Sequence, residues 1–495
     1  MGYYLTTARN IVGGTGVTLD GENPTNGFHP LWLVILCILQ ALVGSHQDTM
    51  FHVALTVSAL LFVLTGWFIC QQIRHDAGAW LVAPLAGLFF FNYRLVSIPL
   101  GGLETALSGM TVVVVARFVS RWADFLNLKR AATLGGLLGL AYLARMDALL
   151  LGVIVLAWLA YRSFRMRSWQ HFGLVFVCGG VSLVSLVPWF IFSWTAVHGW
   201  LPRSGEAILL WSPSLWSPPW SLERLGSAFR DTVINPAGNV ANIVGLWPVI
   251  NTDRISHSSA ACVLLAALAL FSCLAWRVRR DDAVKRLAWI PVYVFFLCVY
   301  YLQFASNIRY LYPAMLLLFI FFAVVLGAAV DRTASPSRWV ARTHACVAVM
   351  LVIGTMAGVQ AYRRGFAAGY WHRMHGAFYD DLAPWLARNT EPSARVGAFN
   401  AGILSYFSQR ATVNLDGVMN DRAITALRTH HLCDYIDSQH IGYLADNHEA
   451  IEWFLDRDTS CAQSVWRARW NVVHRVAWPP DGGLGRMEYV VMKRK

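Results

Sequence analysis

Apolar runs long enough to cross a membrane recur along most of this chain. We count ten of them, at residues 50–73, 77–92, 101–120, 131–144, 147–161, 172–196, 257–276, 287–305, 309–330 and 343–362. A helix needs about 20 mostly apolar residues to cross a hydrocarbon core, and the shorter runs would need flanking residues or a thinner bilayer. Only 14% of the 495 residues are charged, whereas soluble domains have roughly 25%. The sequence therefore predicts a polytopic α-helical membrane protein with about ten spans.

The basic residues indicate how these spans are oriented. The net charge of +12 comes largely from Lys and Arg in short loops between apolar runs, a pattern typical of the positive-inside rule rather than of nucleic-acid binding. One set of alternate loops carries sixteen Lys and Arg residues, whereas the short loops of the other set carry three: Arg94, Arg145 and Arg309. We therefore predict that the first set faces the cytoplasm and that both termini lie outside.

Composition divides the chain into three regions. Residues 1–49 form a first extracytoplasmic loop, in which the apolar stretch 30–44 is too short to span and is predicted to lie in the membrane interface. Residues 50–362 form the transmembrane domain. It includes an external loop, 197–256, rich in Trp and Pro, which is either an aromatic belt on the membrane or a lid over a lipid-chain groove. Residues 363–495 alternate strand-like and helix-like segments, which predicts a small extracytoplasmic α/β domain.

Two cysteines fall in this last region. Seven of the nine cysteines lie in apolar stretches, whereas Cys433 and Cys461 lie in polar sequence that we place in an oxidising compartment. A disulfide between them is predicted, and the alternative is a pair of buried free thiols. The sequence contains no Cys/His zinc spacing, no Gly-rich dinucleotide motif and no P-loop, so it gives no support for nucleotide binding.

Four ionisable residues stand at the predicted outer ends of spans. Glu104 lies in Gly-Gly-Leu-Glu-Thr-Ala-Leu, Arg145 and Asp147 lie in Leu-Ala-Arg-Met-Asp-Ala-Leu, and Arg309 lies in Asn-Ile-Arg-Tyr-Leu-Tyr-Pro. Placing a charge in a membrane costs at least about 2.5 kcal/mol on insertion scales, which favours a functional role. The structural alternatives are a local ion pair for Arg145 and Asp147, a carboxylate favoured by the helix dipole for Glu104, and snorkelling for Arg309.

The predicted topology brings these four residues to one face of the membrane. Guanidinium groups bind phosphate oxygens at two points and stabilise the charge that develops on a leaving phosphate. A carboxylate can remove the proton of an acceptor hydroxyl or hold a divalent metal such as Mg²⁺ or Mn²⁺. The set is therefore suited to breaking a sugar–phosphate bond.

Several longer motifs resemble a known family. Tyr-Tyr-Leu-Thr-Thr-Ala-Arg-Asn-Ile-Val-Gly-Gly-Thr-Gly and Asn-Pro-Thr-Asn-Gly-Phe-His-Pro-Leu-Trp resemble the first extracytoplasmic loop of bacterial GT-C type glycosyltransferases. The motifs around Glu104, Arg145 and Arg309 are similar to motifs that recur in the same order in that family. Val-Gly-Ala-Phe-Asn-Ala-Gly-Ile-Leu and Val-Asn-Leu-Asp-Gly-Val-Met-Asn look like its C-terminal region. Protein mannosyltransferases and mycobacterial arabinofuranosyltransferases are related enzymes.

The resemblance implies a membrane-bound hexosyl- or pentosyltransferase of the bacterial inner membrane. It would move a sugar, with inversion, from a polyprenyl-phosphate donor to an envelope glycan, lipid or protein on the outer side. Glu104 and Asp147 would be catalytic, holding the acceptor or a metal. Substrate-binding residues would be Arg309, Tyr310, Arg145, Asn26 and His29. The alternatives are a lipid-linked-sugar transporter or flippase, with ionisable residues near the bilayer midplane, and a non-catalytic envelope assembly protein.

The sequence departs from the family at its start. The family typically carries an acidic residue, often an Asp pair, just before the segment that matches Tyr3-Tyr4-Leu5, and a spanning helix before that. The given sequence begins at Met1-Gly2. We expect an upstream helix that ends in this acidic residue, the main general base in the family. The alternative is a truncated product.

Overall fold

The computed structural model describes residues 1–44, 46–211, 272–301, 308–333, 349, 355–356, 359–360, 375–461, 463–478 and 487–495. The predicted spans 257–276 and 343–362 and the predicted loop 197–256 lie mostly outside these residues. The chain divides into two compact units. Unit 1 consists of Met1–Ala54, Pro188–Ser212 and Ala368–Lys495, and unit 2 consists of Leu55–Val187 and Pro213–Ala367.

Long apolar helices dominate the described residues. Six of them are long and apolar enough to cross a membrane: Gln47–Asp76, Thr105–Phe125, Met146–Arg165, Trp169–Val197, Asp282–Tyr301 and Arg309–Val330. A bent pair, Ala79–Phe90 with Leu95–Gly101, turns through 70° and would make a seventh span if it crosses as one. The predicted span 131–144 is a helix of 17 residues, Leu128–Ala144. The protein is thus a multi-pass helical membrane protein, and the count of ten spans stays a prediction.

Between residues 47 and 333, the described helices include Gln47–Asp76, Val82–Phe90, Tyr93–Ser97, Thr105–Trp122, Leu128–Ala144, Leu149–Arg165, Trp169–Val184, Val187–Val197, Arg203–Trp211, Asp282–Arg286, Trp289–Tyr301 and Ile308–Thr333. Short 3₁₀ turns at Ala79–Leu81, Pro99–Gly101, Ala123–Phe125 and Met146–Ala148 join some of them. The bend in the predicted span 77–92 comes where the helix ends, next to Phe91.

A tight turn in unit 2 positions two of the predicted site residues. Helix Leu128–Ala144 starts at Asn127, whose side chain accepts a hydrogen bond from the Arg130 backbone N–H, and stops at Arg145, where the backbone becomes extended. The 3₁₀ turn Met146–Ala148 then leads directly into helix Leu149–Arg165. Arg145 and Asp147 therefore lie on the connection between two consecutive helices.

Close packing fixes the helices around this turn. Helix Ile308–Thr333 is among the most buried elements and packs against Thr105–Trp122, where the absence of a side chain on Gly109 leaves room for Tyr312 and Leu316. Gly152 gives similar room to the Tyr142 hydroxyl, which lies where a Cβ atom would be. Packing of this density holds the residues at the helix ends in defined positions.

Unit 1 contains a five-stranded mixed sheet. Its strands are β1 Arg395–Ala398, β2 Ala411–Asn414, β3 Tyr443–Asn447, β4 Trp470–Trp478 and β5 Met487–Arg494. Their order is β2-β1-β3-β5-β4, in which β1 runs parallel to β2 and β3, and β5 runs antiparallel to β3 and β4. The C-terminal region is therefore an α/β domain, as the alternation of segments indicates. Its location outside the membrane stays a prediction.

Helices cover this sheet. Besides Arg203–Trp211, the helices of unit 1 include Gly2–Val12, Pro30–Val43, the π-helical turn Ala377–Leu382, Ala383–Asn389, Ala401–Phe407, Asp421–Thr429, Leu432–Ser438, His448–Leu455 and Gln463–Arg469. Buried side chains such as Leu415, Leu444 and Ile451 form the core between helices and strands. The structure places Cys433 and Cys461 in a disulfide at the edge of this core, with 5.3 Å between their Cα atoms.

The first residues of the chain pack onto the C-terminal domain. Helix Gly2–Val12 lies against Ala401–Phe407, and a Cβ atom on Gly2 would lie 1.9 Å from the Gly402 carbonyl oxygen. The Thr6 and Ser405 hydroxyls hydrogen-bond at 3.0 Å. The N-terminal segment is thus an integral part of unit 1.

Candidate functional site

The four ionisable residues singled out in the sequence gather in unit 2 around Arg145. This guanidinium is buried, with 2% of the residue exposed. Its Nε lies 3.1 Å from Oδ1 of Asp147 and its Nη2 lies 2.7 Å from Oδ2 of the same carboxylate. Its Nη1 lies 3.9 Å from Oε1 of Glu104 and donates to the Arg309 backbone carbonyl at 3.3 Å. Three separate helices therefore meet at one guanidinium.

A tyrosine completes the contacts of Arg145. The Nη2 group donates to the Tyr301 hydroxyl at 3.0 Å, and that hydroxyl donates in turn to Oδ2 of Asp147. The five N–H groups of an arginine thus face five oxygen contacts. Four are hydrogen bonds, two of which pair Arg145 with the Asp147 carboxylate, and the fifth is the longer ion pair with Glu104. Burying a charge is tolerated only with such compensation. The structure therefore shows the ion pair that was the alternative interpretation of Arg145 and Asp147.

Glu104 sits at the start of helix Thr105–Trp122. Its backbone occupies the N-cap position, but its side chain makes no capping hydrogen bond. The residue is 4% exposed, and its carboxylate interacts electrostatically with both Arg145 and Arg309. A single carboxylate thus lies between two cations, a more specific environment than a favourable helix dipole alone provides.

Arg309 lies at the start of helix Ile308–Thr333. Its Nη2 donates to the Tyr310 hydroxyl at 3.1 Å, and its guanidinium carbon lies 5.0 Å from the centre of the Tyr310 ring. The Arg145 guanidinium carbon lies 5.1 Å from the same ring, and Tyr310 stacks on Tyr301 with ring centres 5.3 Å apart. An aromatic face between two guanidiniums stabilises both of them. Tyr310, predicted to bind substrate, therefore belongs to the same arrangement.

We call these residues the Arg145 cluster: Glu104, Arg145, Asp147, Tyr301, Arg309 and Tyr310. Sequence reasoning missed one member, Tyr301. It follows Tyr300 at the end of an apolar run, where tyrosines are common as interfacial anchors. The structure distinguishes the two, because Tyr300 is 42% exposed and Tyr301 only 5%. No signal in the sequence separates these neighbours.

The two remaining residues predicted to bind substrate lie in unit 1. The Asn26 side chain donates to Oγ of Ser193 at 2.7 Å and to the Leu201 carbonyl at 3.0 Å, and it accepts from the Arg203 backbone N–H at 3.0 Å. The His29 backbone N–H donates to the Tyr4 hydroxyl at 3.0 Å. Asn26 thus ties the first loop to residues 193–203 of the same unit. Substrate binding by Asn26 and His29 stays a prediction.

The Arg145 cluster fits a metal poorly. Among the residues that the structure describes, no three His, Cys, Asp or Glu side chains come together as a metal site would need. The two carboxylates of the cluster are both paired with Arg145, so a divalent cation would have to displace a buried guanidinium. Binding of Mg²⁺ or Mn²⁺ stays a prediction of the sequence.

Two further carboxylates are buried in unit 1 near the carboxyl ends of β2 and β3. Asp446 accepts hydrogen bonds from the backbone N–H groups of Phe399 and Asn400, at 2.8 and 2.7 Å. Asp416 accepts from the Val418 backbone N–H at 2.8 Å. Burial raises the pKa of Asp416 to about 7, and it raises the pKa of Asp446 as well. Their hydrogen bonds bind the loops that follow the parallel strands.

Comparisons with known proteins place this geometry in context. A family model described as a domain of unknown function (DUF8728) matches residues 362–492. No curated protein matches the sequence. Among solved structures, ArnT from Cupriavidus metallidurans bound to undecaprenyl phosphate is 13% identical, with a TM-score of 0.58 over 99% of this chain and 93% of that one.

A second enzyme from another domain of life has a similar structure. The archaeal oligosaccharyltransferase AglB from Archaeoglobus fulgidus, in complex with an inhibitory peptide and a dolichol-phosphate, is 12% identical, with a TM-score of 0.52 over 98% of this chain and 69% of that one. ArnT without ligand gives a TM-score of 0.55 at 14% identity, over 99% of this chain and 92% of that one. The chain therefore has the GT-C-type fold of membrane glycosyltransferases.

Proposed function

We propose that this protein transfers a sugar from a polyprenyl-phosphate donor to a hydroxyl group of an envelope acceptor. The observation that carries the proposal is the Arg145 cluster, in which two guanidiniums and a buried carboxylate meet at the ends of membrane-spanning helices of a GT-C-type fold. The polyprenyl carrier is supported by two structural neighbours, one bound to undecaprenyl phosphate and the other to dolichol-phosphate.

Arg309 is the residue that we assign to the donor phosphate. Arg145 directs its N–H groups at Asp147, Tyr301 and its other protein partners, so its charge acts on the ligand through space. Arg309 lies beside it and contacts Tyr310. Two adjacent guanidiniums stabilise the negative charge that develops on a departing phosphate, and the low dielectric of the buried cluster strengthens this interaction.

Glu104 is the described carboxylate best suited to accept a proton. Asp147 is bound at two points by Arg145 and receives a further hydrogen bond from Tyr301, and these contacts hold it in a fixed position. The Glu104 carboxylate lies farther from Arg145, with Oε1 at 3.9 Å from Nη1. It can therefore reach an acceptor hydroxyl without dismantling the ion pair.

The reaction that follows is a single displacement. The acceptor oxygen forms a bond to the anomeric carbon while the bond from that carbon to the phosphate oxygen breaks. The electron pair of the broken bond leaves on polyprenyl phosphate, next to Arg309. The acceptor proton goes to a carboxylate, and among the described residues we assign this role to Glu104. One displacement at the anomeric carbon inverts its configuration. Binding both reactants in line supplies much of the rate enhancement.

The active face is proposed to be extracytoplasmic and the membrane to be the inner membrane of a bacterium. The charge asymmetry of the loops supports this orientation. Single cysteines at positions 280 and 447, in a background without other accessible thiols, test it with an impermeant thiol reagent on intact spheroplasts. We expect labelling at 447 and none at 280, and labelling at 280 would overturn the orientation.

A reconstitution experiment tests the proposed function. Purified protein is supplied with undecaprenyl-phosphate-linked glucose, mannose or arabinose and with host envelope membranes, and the release of undecaprenyl phosphate is measured by mass spectrometry. Acceptor-dependent release with at least one donor is expected, and Glu104→Gln should abolish it. Release from none of the three, together with no binding of undecaprenyl phosphate, would refute the proposal. A parallel reaction with EDTA tests the metal prediction.

A further inference from the structure

A second polar cluster lies in unit 2 at the far end of a helix that bears the Arg145 cluster. Helix Thr105–Trp122 begins next to Glu104 and carries Arg117, Ser120 and Arg121 near its end. At 1.5 Å per residue, Glu104 and Ser120 are about 24 Å apart along the helix axis. We call Asp76 together with Arg117, Arg121 and Arg286 the Arg117 cluster.

Asp76 is the centre of this cluster. None of its side chain is exposed. Its Oδ2 accepts from the Ser120 hydroxyl at 2.6 Å and from Gln72, and its Oδ1 lies 2.7 Å from Nδ1 of His75 and accepts from Nη2 of Arg286 at 3.2 Å. The two oxygens of the Asp76 carboxylate therefore already have four hydrogen-bonding partners among the described residues.

The three arginines lack enough acceptors. Arg117 and Arg121 lie one helical turn apart and repel each other, while Asp76 attracts Arg117 electrostatically. Within the described part of the chain, three buried N–H-bearing atoms of these side chains have no hydrogen-bond acceptor: Nη1 of Arg117, Nε of Arg121 and Nε of Arg286. A buried donor without an acceptor is destabilising, and more so when it is charged. The cluster is therefore complementary to an anion.

We propose that the Arg117 cluster binds the phosphodiester group of an acidic phospholipid. Guanidiniums match phosphate oxygens at two points, and basic pockets between membrane helices are typical sites for anionic lipid headgroups. A phosphodiester would give each buried N–H the acceptor that it lacks and would offset the repulsion between Arg117 and Arg121. A neutral lipid such as phosphatidylcholine carries a compensating cation that the three arginines would repel.

Exposed apolar side chains beside the cluster fit the rest of such a lipid. Trp122 follows Arg121 directly and is 37% exposed, and Phe125, in the next turn, is 66% exposed. The Arg130 guanidinium lies 4.0 Å from the centre of the Trp122 ring. Aromatic side chains paired with basic groups are typical of the headgroup level of a membrane. A lipid thus finds an apolar surface for its acyl chains next to donors for its phosphate.

The site is separate from glycosyl transfer, so binding of lipid can be measured without any sugar donor. The full chain is purified in detergent and titrated with phosphatidylglycerol, with phosphatidylcholine and, in a third series, with inorganic phosphate. Native mass spectrometry counts the bound lipids, and the midpoint of thermal denaturation records stabilisation. We expect saturable binding and a raised midpoint with phosphatidylglycerol alone.

Variants locate the binding. Each guanidinium removed should weaken phosphatidylglycerol binding about fivefold, so Arg117→Gln with Arg121→Gln should weaken it roughly 25-fold. Arg165→Gln, at an exposed position at the end of helix Leu149–Arg165, is the matched control and should bind as the wild type does. Retention of wild-type affinity in the double variant would overturn the proposal.

The wild-type protein provides a test that does not depend on how the variants fold. Equal stabilisation by phosphatidylglycerol and phosphatidylcholine would refute a preference for acidic lipid. Equal stabilisation by inorganic phosphate would identify a free anion as the ligand and would refute the lipid assignment.

Discussion

Arg145 and Asp147 are joined at two points, by contacts of 3.1 Å and 2.7 Å that use both oxygens of the carboxylate. A pair of this geometry, buried and supported by Tyr301, is a fixed element rather than a reactive one. It leaves Glu104 and Arg309 as the members of the Arg145 cluster that meet substrate in the proposed reaction. Substitutions at these positions separate the two roles.

Arg309 is expected to bind the donor phosphate through its planar, two-point donor geometry. Arg309→Lys keeps the charge and loses that geometry, so we expect at least a tenfold loss of undecaprenyl phosphate binding, about 1.4 kcal/mol, and a larger loss in Arg309→Ala. Titration followed by native mass spectrometry measures both. Arg280→Ala, at an exposed position in unit 2, is the control and should bind as the wild type does. Wild-type binding by Arg309→Ala would leave snorkelling as the role of Arg309.

The buried ion pair predicts a non-additive pair of substitutions. Arg145→Gln leaves Asp147 and Glu104 buried without their main cation, so its free energy of unfolding should fall by about 3–5 kcal/mol. Asp147→Asn should also destabilise. The double variant removes the unpaired charge at Asp147 and should be more stable than the sum of the single changes predicts. Thermal denaturation in detergent of the wild type, the two single variants and the double variant measures these changes. If the two losses of stability simply added, Arg145 and Asp147 would not interact directly.

Only part of the Arg145 cluster could be predicted from the sequence. Ionisable residues in apolar surroundings are conspicuous, so Glu104, Arg145 and Arg309 stand out from the sequence alone. Their partners depend on which helices pack together, and helix packing follows from contacts between residues far apart in the chain. Tyr301 is therefore indistinguishable from Tyr300 in the sequence, although Tyr301 is buried and accepts a hydrogen bond from Arg145 while Tyr300 is 42% exposed.

The same distinction applies to the fold. Apolar runs and alternating segments predicted the membrane helices and the α/β domain, because each depends on local pattern. The 70° bend between Ala79–Phe90 and Leu95–Gly101 and the hydrogen bonds of Asn26 to residues 193–203 depend on tertiary contacts. Asn26 thus holds parts of its own unit together, and its predicted role in substrate binding stays a prediction.

Gly27 tests the close packing of the first loop. A Cβ atom at Gly27 would lie 1.9 Å from the Val418 carbonyl oxygen, so Gly27→Ala should lower the free energy of unfolding by about 1–3 kcal/mol. Gly205 lies in helix Arg203–Trp211 with open space around it. Gly205→Ala should therefore stabilise by roughly 0.5–1 kcal/mol. Thermal denaturation compares the two, and equal midpoints would contradict the packing at Gly27.

Asp416 predicts how the stability of unit 1 depends on pH. Burial raises its pKa from 3.8 to about 7. Between these values the folded protein keeps a proton that the unfolded chain has released, so the free energy of unfolding should fall as pH rises, and level off above about pH 7. Asp416→Asn should flatten this dependence. Some dependence of the free energy of unfolding on pH should remain, because the pKa of Asp446 is also raised. Denaturation midpoints from pH 5 to 8 measure the slope, and an unchanged slope in the variant would contradict the assignment.

The disulfide between Cys433 and Cys461 closes a loop in the C-terminal domain with a sequence separation of 28 residues. Replacing both cysteines with serine should lower the free energy of unfolding by about 3–4 kcal/mol, because the unfolded chain regains the entropy of the open loop. Denaturation in a blocking reagent without reductant checks the bond directly. Alkylation of both sulfurs under these conditions would show that they are free thiols.

The contact between Thr6 and Ser405 sets an order of events for the making of this protein. The two hydroxyls are hydrogen-bonded although 399 residues separate them. A ribosome that adds roughly 5–20 residues per second needs about 20–80 s to cover that interval. Helix Gly2–Val12 must therefore wait, through the synthesis of the membrane helices that follow it, for a partner that emerges nearly 400 residues later. Unit 1 can become complete only after its last two strands, Trp470–Trp478 and Met487–Arg494, have been synthesised.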